Sequence, residues 1–166
     1  MGQGSRGKGQ GKTGRAATRG NPLVVTAALI EKDGRILIAR RKQGWRFAGK
    51  WEFPGGKIEP DETPEECLRR ELREELDIEA KIGEFFCSST YQYSHATVQL
   101  LVYRAYHVAG EYTLHDHQEI RWVLPNELVQ YDFPEADQLV IEKLINEKSL
   151  SGFSRFSGSS GSTKET

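Results

Sequence analysis

Residues 63–76 constrain this chain most. Thr63-Pro64-Glu65-Glu66 is a strong helix start: Thr63 suits the N-cap, Pro64 the first helical position, and Glu66 closes a capping box. At about 100° per residue, Leu68, Leu72 and Leu76 share one apolar stripe that has to pack on a broad apolar surface. Glu71, Glu74 and Glu75 fall together on an adjacent stripe, at spacings i, i+3 and i+4. Any fold must bury the first stripe and accommodate the second.

The surface for that stripe comes from strands. Residues 23–30, apolar but for Thr26, read as a buried strand, and Asp33-Gly34 then turns the chain into a second strand at 35–40. Residues 44–56 read mostly as loop, ending in the turn Pro54-Gly55-Gly56. Strands are expected at 80–86, at 90–108 as a hairpin, and at 119–124, with helices at 64–76, 125–130 and 134–147. Strands interleaved with helices mean an α/β layered domain, and the consecutive hairpins favour a mixed sheet over a doubly wound parallel one.

At 166 residues the chain fits one domain with a proper core. Residues 1–20 are Gly-rich and basic and read as a disordered arm; 21–148 form the folded domain; 149–166, rich in Ser and Gly, read as a flexible tail. The net charge of −1 conceals an asymmetry, because setting both tails aside leaves 16 basic against 23 acidic side chains, near −7. A body that acidic is a poor non-specific binder of nucleic acid, so such contact is expected only through the basic arm. Cys67 and Cys87 form no CxxC pair and read as reduced thiols of a cytoplasmic protein. No apolar run approaches the ~20 residues of a membrane span. A monomer or a homodimer fits this composition.

The acidic stripe is either a solvated face or a cation seat. The first reading suits Glu65 and Glu66, which have Arg69 and Arg70 four residues on. It suits Glu71 and Glu75 poorly, since their helical neighbours are acidic or apolar, and like charges at that spacing cost roughly 0.2–0.5 kcal/mol each. Three hard oxygen donors on one rigid helix are what Mg²⁺, or Mn²⁺ in its place, prefers.

The same stretch resembles a known signature. Gly56, Glu62 and Arg70-Glu71-Leu72-Arg73-Glu74-Glu75-Leu76-Asp77-Ile78 match the pattern G-x5-E-x7-R-E-U-x-E-E-x-G-U (U aliphatic) of the Nudix hydrolases. Only the second glycine differs, being Asp77. Lys50-Trp51-Glu52-Phe53-Pro54-Gly55-Gly56-Lys57-Ile58-Glu59 and Phe133-Pro134-Glu135-Ala136-Asp137 are similar to the MutT-like branch. The resemblance implies an α/β/α sandwich and a Mg²⁺-dependent enzyme acting on a small-molecule nucleotide. It casts Glu71, Glu74, Glu75 and the Gly55 carbonyl as metal ligands. Arg70 would orient the carboxylates, and Glu62 and Gly56 would support the loop. Glu71 or Glu119 would take a proton from water, Arg40 would contact phosphate, and Asp137 would read the base. Asp77 is expected in the left-handed conformation of the glycine it replaces, which Asp tolerates better than most residues.

The implied reaction cleaves (deoxy)nucleoside triphosphates, with oxidised guanine or cytosine nucleotides leading, to monophosphate and pyrophosphate. RNA 5′ ends, dinucleoside polyphosphates and nucleotide sugars are the alternatives within the family, and a nucleotide sensor without catalysis lies outside it. An ionised Asp137 would only accept hydrogen bonds, which suits guanine or cytosine amino groups. Trp51, Phe53 and Tyr91 are candidates for base stacking. Gly11-Lys12-Thr13 is no P-loop, because Arg6 stands where that motif needs glycine. His115-Asp116-His117 reads as a solvated polar loop rather than a metal site.

Overall fold

A computed structural model describes residues 20–154. The basic arm, apart from Gly20, and the tail beyond 154 lie outside the described residues. The elements are β1 (Leu23–Lys32), β2 (Arg35–Arg41), β3 (Trp51–Glu52), α1 (Pro64–Leu76), β4 (Glu79–Gln92), β5 (Thr97–Ala109), β6 (His117–Val123) and α2 (Gln138–Ser154).

β1 is the spine. It pairs in parallel with β5 from Leu23↔Val98 to Ile30↔Ala105, and its last two residues pair antiparallel with β2. β4 closes antiparallel on β5, while β3 and β6 both pair with β2. The sheet is therefore mixed, as the hairpins require. Alternate residues of β1 and β2 face opposite ways. Ala28, Ile30 and Leu37 meet Leu68, Leu72 and Leu76 of α1. Ala27, Leu29, Ile36 and Ile38 meet Val140, Ile141 and Leu144 of α2. Burial on both faces explains why the middle of β1 and β2 reads as a nearly continuous apolar run. Among the described residues no helix is long and apolar enough to cross a membrane.

α1 begins and ends as its sequence dictates. The Thr63 hydroxyl accepts from Glu66 N at 3.2 Å, and the Glu66 carboxylate accepts from Thr63 N at 2.8 Å. Asp77 caps the other end at φ 57°, donating its N–H to Arg73 O. Its carboxylate also meets His115 Nε2 at 2.8 Å, a contact that glycine could not make.

Three elements differ from the sequence reading. β4 is one strand of 14 residues, because register shifts at Ile82/Phe85 and Phe85/Cys87 let the polar Ser88 and Ser89 stay paired with β5. The 125–130 segment is a 3-10 helix, and a 3-10 turn at Glu135–Asp137 precedes α2. α2 itself runs on to Ser154, into the stretch expected as tail. Leu72, fully buried between α1 and the sheet, tests this core. Leu72→Ala is expected to lower unfolding free energy by about 2–5 kcal/mol in urea titration; a loss under 1 kcal/mol would place the residue outside the core.

Candidate active site

The site is built where the loop ahead of α1 presses onto β1. Thr26 N donates to Gly56 O at 2.8 Å, Ala28 N to Pro54 O at 2.7 Å, and Ile58 N to Val24 O at 3.2 Å. The Cys67 thiol, buried on α1, lies 3.2 Å from the Thr26 hydroxyl and 3.5 Å from the carbonyls of Gly56 and Lys57. Strand, loop and helix are thus tied at one point. Neither glycine there is replaceable without movement. A Cβ on Gly55 would lie 2.1 Å from Thr26 O, and one on Gly56 would lie 2.4 Å from the Glu71 carboxyl carbon.

Arg70 organises the acids beside that loop. Its guanidinium donates to both Glu62 oxygens at 2.8 and 3.0 Å, to Glu71 at 2.8 Å, to Glu74 at 3.2 Å and to the Lys57 carbonyl at 3.2 Å. Arg70 sits one residue before Glu71, off its helical stripe, yet its long side chain folds back to reach it. The Glu62 carboxyl is held below the usual carboxylate range, chiefly by that guanidinium. Glu71 is raised, by burial first, with Arg70 opposing and Glu74 and Glu62 adding.

Glu75 is the anomaly. It is 8% exposed, and one carboxylate oxygen, Oε2, is buried with no hydrogen-bond partner among the described residues. Its carboxyl is pushed well above the ordinary range by burial, then by Glu52, Glu71 and Asp116. A buried acid ringed by acids needs a proton or a cation. Glu71, Glu74 and Glu75 supply hard oxygen donors, so the donor set fits a divalent metal. Among the described residues no three such side chains converge into a ready ligand cluster, since Glu71 and Glu74 are turned to Arg70.

Glu71, Glu75, Gly55, Gly56 and Asp137 all line one cavity of about 330 Å³. Asp137 is 7% exposed, and its carboxyl is pushed up to about 8 by burial and by Glu52, against Arg41. Burial thus favours the protonated form of Asp137, which can donate as well as accept, over the ionised form that the sequence suggests. Glu52 sits between the two acids. It accepts from His117 Nε2 at 2.7 Å and pairs with Arg41 at 3.6 Å. His117 is 3% exposed, so it is no solvated loop residue as its polar neighbours suggested. His115, its companion, is bound to Asp77.

Arg40 and Glu119 are brought together, but elsewhere. They pair at 3.4 Å, Glu119 also binds Arg121 at 3.1 Å, and neither lines the cavity. Arg41 lines it instead, one step along β2 at the bulge where the pairing with β6 shifts register. Of the aromatics singled out, Trp51 packs in the core against Tyr131, Phe53 lines the cavity, and Tyr91 lies 4.7 Å from Tyr93, which also lines it. Glu52, Arg41, Arg46, Phe47, Tyr93 and His95 were not singled out, because the fold alone joins their segments.

A family model described as the NUDIX domain matches residues 25–143. The chain belongs to the Nudix hydrolase family. It is 43% identical to the CTP pyrophosphohydrolase of Escherichia coli over 123 residues, covering 74% of this chain and 91% of that protein. It is 36% identical to the 8-oxo-dGTP diphosphatase of Haemophilus influenzae, covering 75% of this chain and 93% of that one. The crystal structure of the MutT protein from Methanosarcina mazei superimposes with a TM-score of 0.69 at 30% identity, covering 76% and 96% of the two chains. The α/β/α architecture of this Nudix hydrolase is that of its structural relatives.

The raised Asp137 carboxyl makes stability depend on pH. Below the ordinary carboxyl range both folded and unfolded chains hold this proton. Between there and about pH 8 only the folded chain does, so stability falls as pH rises through that window. Asp137→Asn removes the loss. Its melting midpoint relative to the wild type is expected to climb between about pH 5 and about pH 8; an offset that stays constant would show that this carboxyl ionises normally.

Proposed function

We propose that this Nudix hydrolase cleaves nucleoside triphosphates to a monophosphate and pyrophosphate with Mg²⁺, or Mn²⁺ in its place. The observation that carries this reading is one cavity holding both Glu75, whose Oε2 has no hydrogen-bond partner among the described residues, beside Glu71, and the buried Asp137. A site for a divalent ion and a site for a base then share one space. Glu71, Glu74 and Glu75, with the Gly55 carbonyl, would hold the ion. When bound, it lowers the charge of the polyphosphate oxygens and makes a nearby water more acidic.

The rest is done by the chain's own groups. Arg70 and Glu62 hold Glu71 and Glu74 in position, and Gly56 leaves room for the Glu71 carboxylate. Arg41 and Lys57, both lining the cavity, offset phosphate charge. Water attacks phosphorus in line with the leaving group, and the Glu71 carboxylate takes its proton. Glu71 is preferred to Glu119 for this step because Glu119 is occupied by Arg40 and Arg121 away from the cavity. Likewise Arg41, which lines the cavity, is preferred to Arg40 as the phosphate contact.

Protonated Asp137 offers one donor and one acceptor. That pair matches the N3 and N4 amino edge of cytosine, or the N1–H and O6 edge of guanine. The names of the relatives point to the same bases. The N1 and N6 amino edge of adenine would meet the same pair, so the choice of cytosine and guanine nucleotides, oxidised guanine included, rests on those names.

Hydrolysis of CTP, GTP, 8-oxo-dGTP, ATP and capped RNA with Mg²⁺, products resolved by chromatography, tests the substrate. Turnover of capped RNA alone would overturn the triphosphate reading. Glu75→Gln is expected to lower turnover by at least ~100-fold, since a ligand should matter no less than its supporting groups. Unchanged turnover would mean that the ion sits elsewhere.

A further inference from the structure

The cavity has a second wall that the Nudix helix does not supply. It is the 42–50 loop between β2 and β3. Arg41 N donates to Lys50 O at 2.9 Å and Gly49 N to Arg41 O at 3.1 Å, closing the loop at its base. Within it, Ala48 N meets Trp45 O at 3.0 Å and Lys50 N meets Phe47 O at 2.9 Å. A loop with this many internal bonds is a shaped object rather than a slack connection.

Its apex is strained and pinned. Phe47 sits at φ 59°, in the left-handed region that a bulky side chain rarely enters. Its ring lies 5.3 Å from Tyr93 and 6.5 Å from His95, and His95 stacks on Tyr93 at 5.5 Å with the rings 15° apart. The Tyr93 hydroxyl accepts from Ala136 N at 3.0 Å, next to Asp137. A chain of contacts therefore runs from the loop to the proposed base-holding acid. Strain held by specific contacts is a common mark of a functional position.

Arg46 directly precedes the strained residue. This side chain lines the same cavity as Asp137. Arg41, the other arginine there, is held by Glu52 at 3.6 Å, whereas Arg46 has no carboxylate within ion-pair reach among the described residues. A guanidinium can only donate, and its fork suits carbonyl oxygens and adjacent ring nitrogens. Guanine and cytosine carry a ring carbonyl, and adenine carries none. Resting on the reading of the cavity as a nucleotide site, we infer that Arg46 is a specificity-determining residue. The loop pinned by Phe47, Tyr93 and His95 presents its guanidinium to the carbonyl of the base that Asp137 holds.

The test compares Arg46→Gln, Arg46→Lys and Phe47→Gly with the wild type. Glycine adopts the backbone conformation of Phe47 freely, so that variant removes the aromatic pin without strain. Two readouts are taken: KM and kcat for CTP, GTP and ATP, and calorimetric binding of CMP, GMP and AMP. Arg46→Gln is expected to raise KM for CTP and GTP by ~10-fold or more, leave ATP unchanged, and alter kcat by no more than about 3-fold. Binding of CMP and GMP should weaken in step, with AMP unmoved. Arg46→Lys should recover only part of the loss, and Phe47→Gly should reproduce it. An equal rise for all three triphosphates, restored by lysine, would make Arg46 a phosphate contact and overturn the inference. So would unchanged KM values, or monophosphates that do not bind the wild type. A wild type that binds CMP or GMP but hydrolyses no triphosphate would instead overturn the proposed reaction, leaving the binding series to decide on Arg46.

Discussion

The site rests on a close approach between two backbones. The Pro54-Gly55-Gly56 turn lies against Thr26 so tightly that a single added carbon on Gly55 would collide with a carbonyl of β1. Three main-chain hydrogen bonds hold it there, and α1 covers it through Cys67. Everything else in the site is referenced to this contact. It sets how near α1 stands to the sheet, and thereby how far the Glu71 and Glu75 side chains reach into the cavity. A site with its polar groups on a helix, a strand and a packed turn is more rigid than one hung on free loops.

Charge is distributed unevenly around that frame. Glu62, Glu71 and Glu74 share one guanidinium, so Arg70 fixes three carboxylates at the entropic cost of a single long side chain. Glu75 is left out of this arrangement. Buried acids without partners are costly, and a fold that retains one usually uses it. Asp137 and Glu52 repeat the pattern in the same cavity, where Arg41 and His117 hold Glu52 and Arg41 offsets the burial of Asp137 only in part.

The helix carrying the acids was legible because its determinants are local. The Thr63 cap, the proline at the first turn, the leucine stripe and the left-handed Asp77 each depend on residues within one or two turns. β1 and β2 were legible because burial on both faces leaves their middles almost wholly apolar. The cavity wall was not. Glu52, Phe47, Tyr93 and His117 come from four separate segments, and none of those segments carries a periodic pattern that marks its function. That Arg41 lines the cavity while Arg40 does not goes with a bulge in the pairing with β6, a one-residue matter invisible in a strand pattern. The upward pull on the Asp137 carboxyl comes first from burial, which belongs to the tertiary structure and not to the residue.

The far end of α1 carries one more consequence. Thr113 N donates to Leu76 O and His115 N to Glu75 O, while the His115 ring holds Asp77. The chain entering β6 thus satisfies carbonyls that a helix normally leaves to water. Sliding α1 along its axis would strip those bonds, so the helix and the approach to β6 open as a single cooperative unit rather than fraying apart. The aspartate that replaces a glycine at this cap is what latches the two together.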